Sequence, residues 1–96
     1  MSLTIAHPNN DDDVCNTFVA YGTQTAPSTG NVSGTMTPPG GNPINGTTIQ
    51  QPTGRGTWAI QFSDVPDGID YLLEVDDTSG GSGSSNGITV DPSYCS

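Results

Sequence analysis

The stretch Gly56-Thr57-Trp58-Ala59-Ile60-Gln61-Phe62, followed by Val65-Pro66-Asp67-Gly68 and Tyr71-Leu72-Leu73-Glu74-Val75, decides the fold of this chain. In the first run large apolar residues alternate with small or polar ones, which is the period of a strand with one buried face. The third run repeats the alternation, and the Pro-Asp-Gly between the runs favours a turn. The sequence therefore predicts two strands of a β-sandwich that are joined at a corner.

The composition around this pair predicts an all-β fold. A chain of 96 residues, of which 30% are hydrophobic, is long enough for one domain with a small core. Its 13 glycines and 8 prolines interrupt every stretch before an apolar helical stripe could become long enough for a stable helix. Residues 1–96 are therefore expected to form a single β domain.

Seven strands are expected, separated by frequent turn signals, and this is the pattern of a β-sandwich. The segment Ser79–Gly87 contains only Ser, Gly and Asn, so it is expected to form a mobile loop. The predicted strands are Leu3–Ala6, Thr17–Thr23, Val32–Thr37, Ile44–Gln50, Thr57–Phe62, Tyr71–Asp76 and Ile88–Asp91.

The charge of the chain restricts its partners. Ten carboxylates face a single cation, Arg55, which gives a formal net charge of -9. Nucleic-acid binding requires clustered Lys and Arg to neutralise phosphates, so it is not expected. An anionic membrane surface is disfavoured for the same reason, and no apolar run is long enough to insert into a membrane.

Two cysteines, Cys15 and Cys95, indicate an oxidising compartment, and a disulfide between them is predicted. The last strand should run to the end of the sandwich where Cys15 lies, which would bring the two residues together. The N-terminal residues do not have the pattern of a signal peptide. We therefore interpret the chain as a module of a longer exported protein, secreted or on the cell surface, with neighbouring domains as its first partners.

The order of these motifs resembles that of bacterial immunoglobulin-like domains, which occur in tandem in large surface and secreted proteins. The resemblance implies an immunoglobulin-like sandwich of about seven antiparallel strands with a spacing, adhesion or ligand-presenting role, and rarely catalysis. It rests on Leu3-Thr4-Ile5-Ala6-His7-Pro8, Val14, Phe18 to Thr23, Gly56-Thr57-Trp58, Asp67-Gly68 to Val75, and Ile88-Thr89-Val90.

The middle of the chain also looks like the carboxypeptidase-regulatory, transthyretin-like sandwich. That resemblance covers Val32-Ser33-Gly34, Pro43-Ile44-Asn45-Gly46 and Val65-Pro66-Asp67-Gly68. Both families have sandwiches of seven strands, and the immunoglobulin-like alternative accounts better for the N-terminal strand.

Three aromatic residues are candidates for special roles. Trp58 could stack on a sugar, but it is in phase with Ile60 and Phe62 and is therefore expected in the core. Tyr21 is out of phase with its buried neighbours, which makes it the candidate ligand-binding residue for a glycan or protein partner. Tyr71 follows Asp67-Gly68, where a tyrosine corner would direct its hydroxyl to upstream backbone.

The acidic residues suggest a calcium site. In a sandwich of this order seven of the ten acids would lie at one end, and Ca²⁺ binds such carboxylates together with backbone carbonyls. Because no ordered calcium motif is present, a solvated acidic pole is the preferred interpretation. The candidate ligands are Asp11, Asp12, Asp13, Asp64 and Asp67, with Asp70 and Asp91 nearby.

Catalysis is not expected. His7 is the only histidine, and no local motif pairs it with a nucleophile or a second metal ligand. No cofactor is implied, although calcium is an open possibility. The sequence therefore predicts a non-catalytic spacer or interaction module, with a carbohydrate-binding module or a calcium-binding junction domain as alternatives.

Overall fold

A computed structural model describes residues 3–24, 31–51, 56–78 and 81–95. Within these ranges the protein is all-β, with two sheets that enclose one apolar core and a single 3-10 turn at Pro92–Tyr94. The strands are β1 (Leu3–His7), β2 (Asp13–Val14), β3 (Phe18–Gln24), β4 (Val32–Thr37), β5 (Ile44–Asn45), β6 (Thr47–Gln50), β7 (Thr57–Phe62), β8 (Gly68–Asp77) and β9 (Ser82–Val90).

The strands form a four-stranded and a five-stranded sheet. The first has the order β1-β3-β7-β6, and the second has the order β2-β9-β8-β4-β5. All pairs are antiparallel except β2 with β9, where Asp13 and Val14 pair in parallel with Thr89 and Val90. That pair departs from the predicted antiparallel arrangement, and the two residues of β2 are too few to show an alternating pattern in sequence.

The predicted alternation is confirmed in the core. Every second residue of β7 and of the central part of β8 is buried, and β3 alternates along its whole length. The two sheets therefore contribute facing rows of apolar side chains to one core. Its largest fully buried members include Trp58, Tyr71, Phe62, Met36, Ile60 and Leu73.

The predicted strand Ile44–Gln50 is divided between the two sheets. Ile44–Asn45 pairs with β4, whereas Thr47–Gln50 pairs with β7. Gly46 lies between the two pieces, and a Cβ at this position would overlap the side chains of Ile60 and Phe62. Glycine therefore lets the chain cross from one sheet to the other directly over the core.

The prediction of a mobile loop over Ser79–Gly87 is wrong for most of that segment. Residues 82–87 belong to β9, where Ser82 to Ser85 pair with β8, and residues 79–80 lie outside the described ranges. Ser and Gly have low intrinsic strand preference, but the long neighbouring strand β8 supplies a complete row of backbone partners. Tertiary pairing overrides local preference here.

The two ends of the described chain lie at opposite poles of the sandwich. Leu3 pairs with Gln24 and lies beside Gly81 and Gly83, at what we call the entry pole. At the other end Val14, Gly68 and Val90 are neighbours, and Cys15 and Cys95 follow. These cysteines form the predicted disulfide, with Cα atoms 4.7 Å apart, and we call this end the disulfide pole.

Candidate functional site

The four described strands of the sheet β1-β3-β7-β6 contain no Asp, Glu, Lys or Arg, although the protein as a whole is strongly acidic. All ten carboxylates lie in loops or in the five-stranded sheet. We call the outer surface of the four-stranded sheet the neutral face. Its residues are Thr4, His7, Val19, Tyr21, Thr23, Thr47, Gln50, Thr57, Ala59 and Gln61.

The opposite surface, on the five-stranded sheet, carries charge. Glu74 and Asp76 are exposed on β8, the central strand of that sheet. Strand alternation explains the placement, because residues between the buried Leu73, Val75 and Asp77 must point away from the core. The two outer surfaces of the sandwich therefore differ in electrostatic character.

Tyr21 lies at the centre of the neutral face. It is 48% exposed and pairs with His7 on one side and Ala59 on the other. Its ring stacks on the His7 ring, with centroids 5.6 Å apart and planes at 29°. The predicted exposure of Tyr21 is confirmed, and its role in ligand binding stays a prediction.

His7 has partners that the sequence did not reveal. Besides the stack on Tyr21, its Nδ1 lies 3.8 Å from the Asp12 carboxylate. That carboxylate also accepts a hydrogen bond of 2.7 Å from the Asn9 backbone N–H, which holds it at the margin of the neutral face. The strand register and the turn after β1 create this cluster, and neither can be deduced from the isolated histidine.

Trp58 is a core residue, as its phase in the strand predicts. It is 1% exposed, and its indole N–H donates to the Thr23 carbonyl at 3.2 Å. Gly22 lies directly beneath the indole, since a Cβ there would approach the Trp58 ring. Because the side chain is enclosed, Trp58 cannot serve as a platform for a sugar.

A buried polar pair that the sequence did not indicate joins the two sheets at the entry pole. Gln24, which is 6% exposed, donates from its Nε2 to the buried Asp77 carboxylate. Asp77 also accepts a hydrogen bond of 3.0 Å from the Gly81 backbone N–H. Buried polar groups require such partners, so this pair contributes to the stability of the sandwich.

The candidate calcium ligands lie at more than one level of the sandwich. Asp11 donates its backbone N–H to the Asn86 carbonyl, whereas Asp64 and Asp67 lie in the corner before Gly68, which pairs with Val90. Four strand residues separate Asn86 from Val90, a rise of roughly 13 Å. Asp13, which pairs with Thr89, and Asp91 lie at the disulfide pole with Asp64 and Asp67, so the gathering of seven acids at one pole stays a prediction.

Several of these carboxylates make local hydrogen bonds. Asp67 accepts from the Asn16 amide, which also donates to the Val65 carbonyl and so ties the β7–β8 corner to the chain after Cys15. In the described part of the chain, no three His, Cys, Asp or Glu residues are grouped so that they could hold a metal ion. The calcium hypothesis stays a prediction without a formed site.

The pKa shifts reflect structural contacts at the disulfide pole. The Ser93 backbone N–H donates to Asp91 at 2.8 Å and holds the pKa of that carboxyl below its usual range. The charge of Asp13 raises the pKa of the Tyr94 phenol. Burial, with a smaller contribution from the Asp67 charge, raises the pKa of Tyr71. The three pKa shifts therefore arise from a hydrogen-bonded cap at Asp91, a neighbouring charge at Tyr94 and burial at Tyr71.

Tyr71 forms the predicted corner contact. Its hydroxyl donates to the Pro66 carbonyl at 2.7 Å, five residues upstream. Gly68 packs against the same ring, where a Cβ would be 3.0 Å from a ring carbon. The phenol therefore fastens the β7–β8 corner to the start of β8.

A shallow open groove of about 400 Å³ lies between β1 and β9. The side chains that line it are apolar or carry uncharged hydroxyl and amide groups, and none of them titrates. Neither this groove nor the surroundings of His7, within the described residues, contains a hydrogen-bonded pair of nucleophile and base. The groove is lined by Leu3, Thr4, Ile5, Asn9, Asn10, Gly83, Ser84 and Ser85.

No protein-family model matches the chain, and no curated protein matches it in sequence. Among the described residues, no helix is long and apolar enough to span a membrane.

Proposed function

We propose that this chain is a non-catalytic, immunoglobulin-like module of a larger exported protein and that it acts there as a spacer between neighbouring domains. The observation that carries the proposal is the position of Leu3 and Cys95 at opposite poles. Leu3 lies beside Gly83, whereas Cys95 lies beyond Val90, and seven strand residues span about 23 Å. A chain that enters and leaves at opposite poles separates whatever precedes and follows it.

The strand order supports the immunoglobulin-like part of the proposal. Immunoglobulin sandwiches place the first, second, fifth and fourth strands, in that order, in one sheet and the remaining strands in the other. If β2 is counted as a continuation of β1 and β5 as an extension of β4, then β1-β3-β7-β6 has that order. The Tyr71 hydroxyl bound to Pro66 corresponds to the tyrosine corner of such folds.

The disulfide supports the exported location. Cys15 and Cys95 are paired, and disulfides persist in oxidising compartments outside the cytoplasm. The formal net charge of -9 separately favours solubility.

Small-angle X-ray scattering on two copies joined head to tail by a short linker tests the spacer proposal. The copies should lie end to end, with a maximum dimension close to twice that of the single module, whose longest extent is 37 Å. The single module, measured under the same conditions, is the control. A compact particle in which the copies lie side by side would contradict the proposal.

A further inference from the structure

The neutral face combines three features that suit one class of ligand. It is a sheet surface, its polar groups are hydroxyls and amides apart from the His7 imidazole, and an exposed Tyr21 ring stacked on His7 lies at its centre. The row across the four strands is His7, Tyr21, Ala59 and Gln50, as the pairing register shows.

The surroundings of Tyr21 hold its ring but leave it accessible. The His7 ring stacks on the tyrosine from the β1 side, and Ala59, its neighbour on the β7 side, has only a methyl group. The ring is therefore fixed on one side and uncovered on the other, in agreement with its 48% exposure. A ring that is held in place loses little conformational entropy when a ligand stacks on it.

The polar groups around the ring can bond hydroxyl groups without carrying charge. Gln50 donates to the Thr57 hydroxyl at 2.7 Å, which orients both side chains. Gln61 and Thr47 are paired on the next row. Each amide and hydroxyl offers both a donor and an acceptor, as sugar hydroxyls also do.

We propose that the neutral face binds an uncharged polysaccharide of pyranose rings with equatorial substituents, with one sugar ring stacked on Tyr21. Such rings expose weakly positive C–H groups on their flat faces, and the negative face of an aromatic ring attracts them. Their equatorial hydroxyls then point sideways, toward the Gln and Thr side chains. This function is independent of the spacer role.

The charge of the protein selects an uncharged ligand. Because the protein has a formal charge of -9, it repels an anionic polymer as the two approach each other. A neutral polymer meets no such electrostatic barrier. Carboxylates occupy the other outer surface and the loops, and Asp12 contacts His7 at the margin of the neutral face. A protein partner fits less well, since protein interfaces are centred on clustered apolar side chains. In this sheet the exposed hydrophobics are Val19 and Tyr21 on β3 and Ile49 on β6, and strand β7, whose outward residues are Thr57, Ala59 and Gln61, separates them.

Retention on insoluble polysaccharides tests the proposal. The full chain is incubated with microcrystalline cellulose, insoluble β-1,4-xylan and chitin, whose pyranose rings carry equatorial substituents, and bound protein is measured by depletion at several ionic strengths. We expect at least one of these neutral polymers to retain the protein, with little dependence on salt. Soluble polygalacturonate, an anionic polymer, should not compete.

Three variants locate the binding surface. Tyr21→Ala removes the ring and should weaken retention by about tenfold or more, the effect expected for a central aromatic contact. Ala59→Gln keeps the ring but fills the space beside it, and should weaken retention similarly. Tyr94→Ala is the matched control, because Tyr94 is equally exposed but lies at the disulfide pole, and it should bind as the parent does.

Circular dichroism and thermal melting establish that each variant is folded. Failure of all three neutral polymers to retain the parent protein would overturn the proposal, as would equal retention of the parent and Tyr21→Ala. If gel filtration shows a dimer that Tyr21→Ala dissociates, the neutral face joins two copies of this chain, and the proposal is wrong. Failure to bind polysaccharide leaves the scattering profile expected for the joined copies unchanged, so the two proposals are tested separately.

Discussion

Cys15 and Cys95 are 80 positions apart in the sequence, yet their Cα atoms lie 4.7 Å apart and a disulfide joins them. The bond closes a covalent loop that contains β3 to β9 and therefore most of the core. Only β1, β2 and the turn between them lie outside this loop. Tension applied at the two ends of the chain would pass through β1, β2 and the disulfide and would bypass β3 to β9.

Single-molecule extension with handles at both ends should reveal this bypass. In the oxidised protein only the residues before Cys15 can lengthen, a contour length of roughly 50 Å, whereas the reduced protein should release roughly 300 Å or more. The Cys15→Ser, Cys95→Ser double variant is expected to behave like the reduced protein. Release of the full length by the oxidised protein would contradict the pairing.

Loss of the disulfide should also lower stability in solution. Closing a loop of this length stabilises a protein by about 4–5 kcal/mol in the chain-entropy model, and measured gains are often smaller. Urea unfolding of the oxidised and reduced protein gives the difference. Intact mass after alkylation of the unreduced, denatured protein provides the control, since two added alkyl groups would show that the thiols are free.

Trp58→Ala should lower the free energy of unfolding by about 3–5 kcal/mol, because it empties a buried site the size of an indole. The Trp58 side chain is 1% exposed, and its removal also deprives the Thr23 carbonyl of the indole N–H donor. Tyr21→Ala, on the outer surface of the adjacent strand, should change stability by less than about 1 kcal/mol. Denaturant unfolding of both variants makes the comparison, and similar losses would place Tyr21 in a structural role.

Tyr71→Phe should cost about 0.5–1.5 kcal/mol, the usual net value of one hydrogen bond, here the one to the Pro66 carbonyl. The change keeps the ring and its packing. Tyr21→Phe is the matched control, because Tyr21 is exposed on the outer surface of the sandwich and does not contact the corner. A loss no larger than that of the control would mean that the corner does not depend on this hydroxyl.

The raised pKa of Tyr71 predicts a loss of stability in alkali. The folded state holds the phenol proton above pH 10, the ordinary tyrosine value, where the unfolded chain has begun to release it. The contribution of the protonated Tyr71 phenol to the free energy of unfolding is therefore complete below pH 10, and it is lost as the pH rises through the pKa of Tyr71 in the folded state. Denaturation midpoints measured from pH 8 to 11 should fall less steeply for Tyr71→Phe than for the parent.

Gln24→Leu should destabilise the entry pole by about 1–3 kcal/mol, because the buried Asp77 carboxylate loses a hydrogen-bond donor. Gln50→Leu, an exposed glutamine in the same sheet, is the control and should have little effect. Thermal melts of the two variants provide the measurement. Equal melting temperatures would show that the contact between Gln24 and Asp77 contributes nothing to folding.

The sequence by itself determined which side chains form the core. The alternation of Trp58, Ile60 and Phe62, and of Tyr71, Leu73 and Val75, is a local property of extended backbone, since successive side chains point to opposite faces. The corner between the two runs follows from local turn chemistry. The disulfide could also be predicted, because the chain has two cysteines and Cys95, just past the last strand, could pair within the chain only with Cys15.

Only the tertiary structure decided which strands are neighbours. Ser82 to Gly87 form a strand because β8 offers them backbone partners, and Gly46 divides its segment because Ile60 and Phe62 lie beneath it. The stack of His7 on Tyr21 and the contact of Gln24 with Asp77 depend on the same choice of neighbours. Periodicity assigns a residue to one face of a strand, but pairing between residues distant in sequence determines which side chains lie beside it. The neutral face therefore exists only because four strands without acidic residues are adjacent in the folded protein.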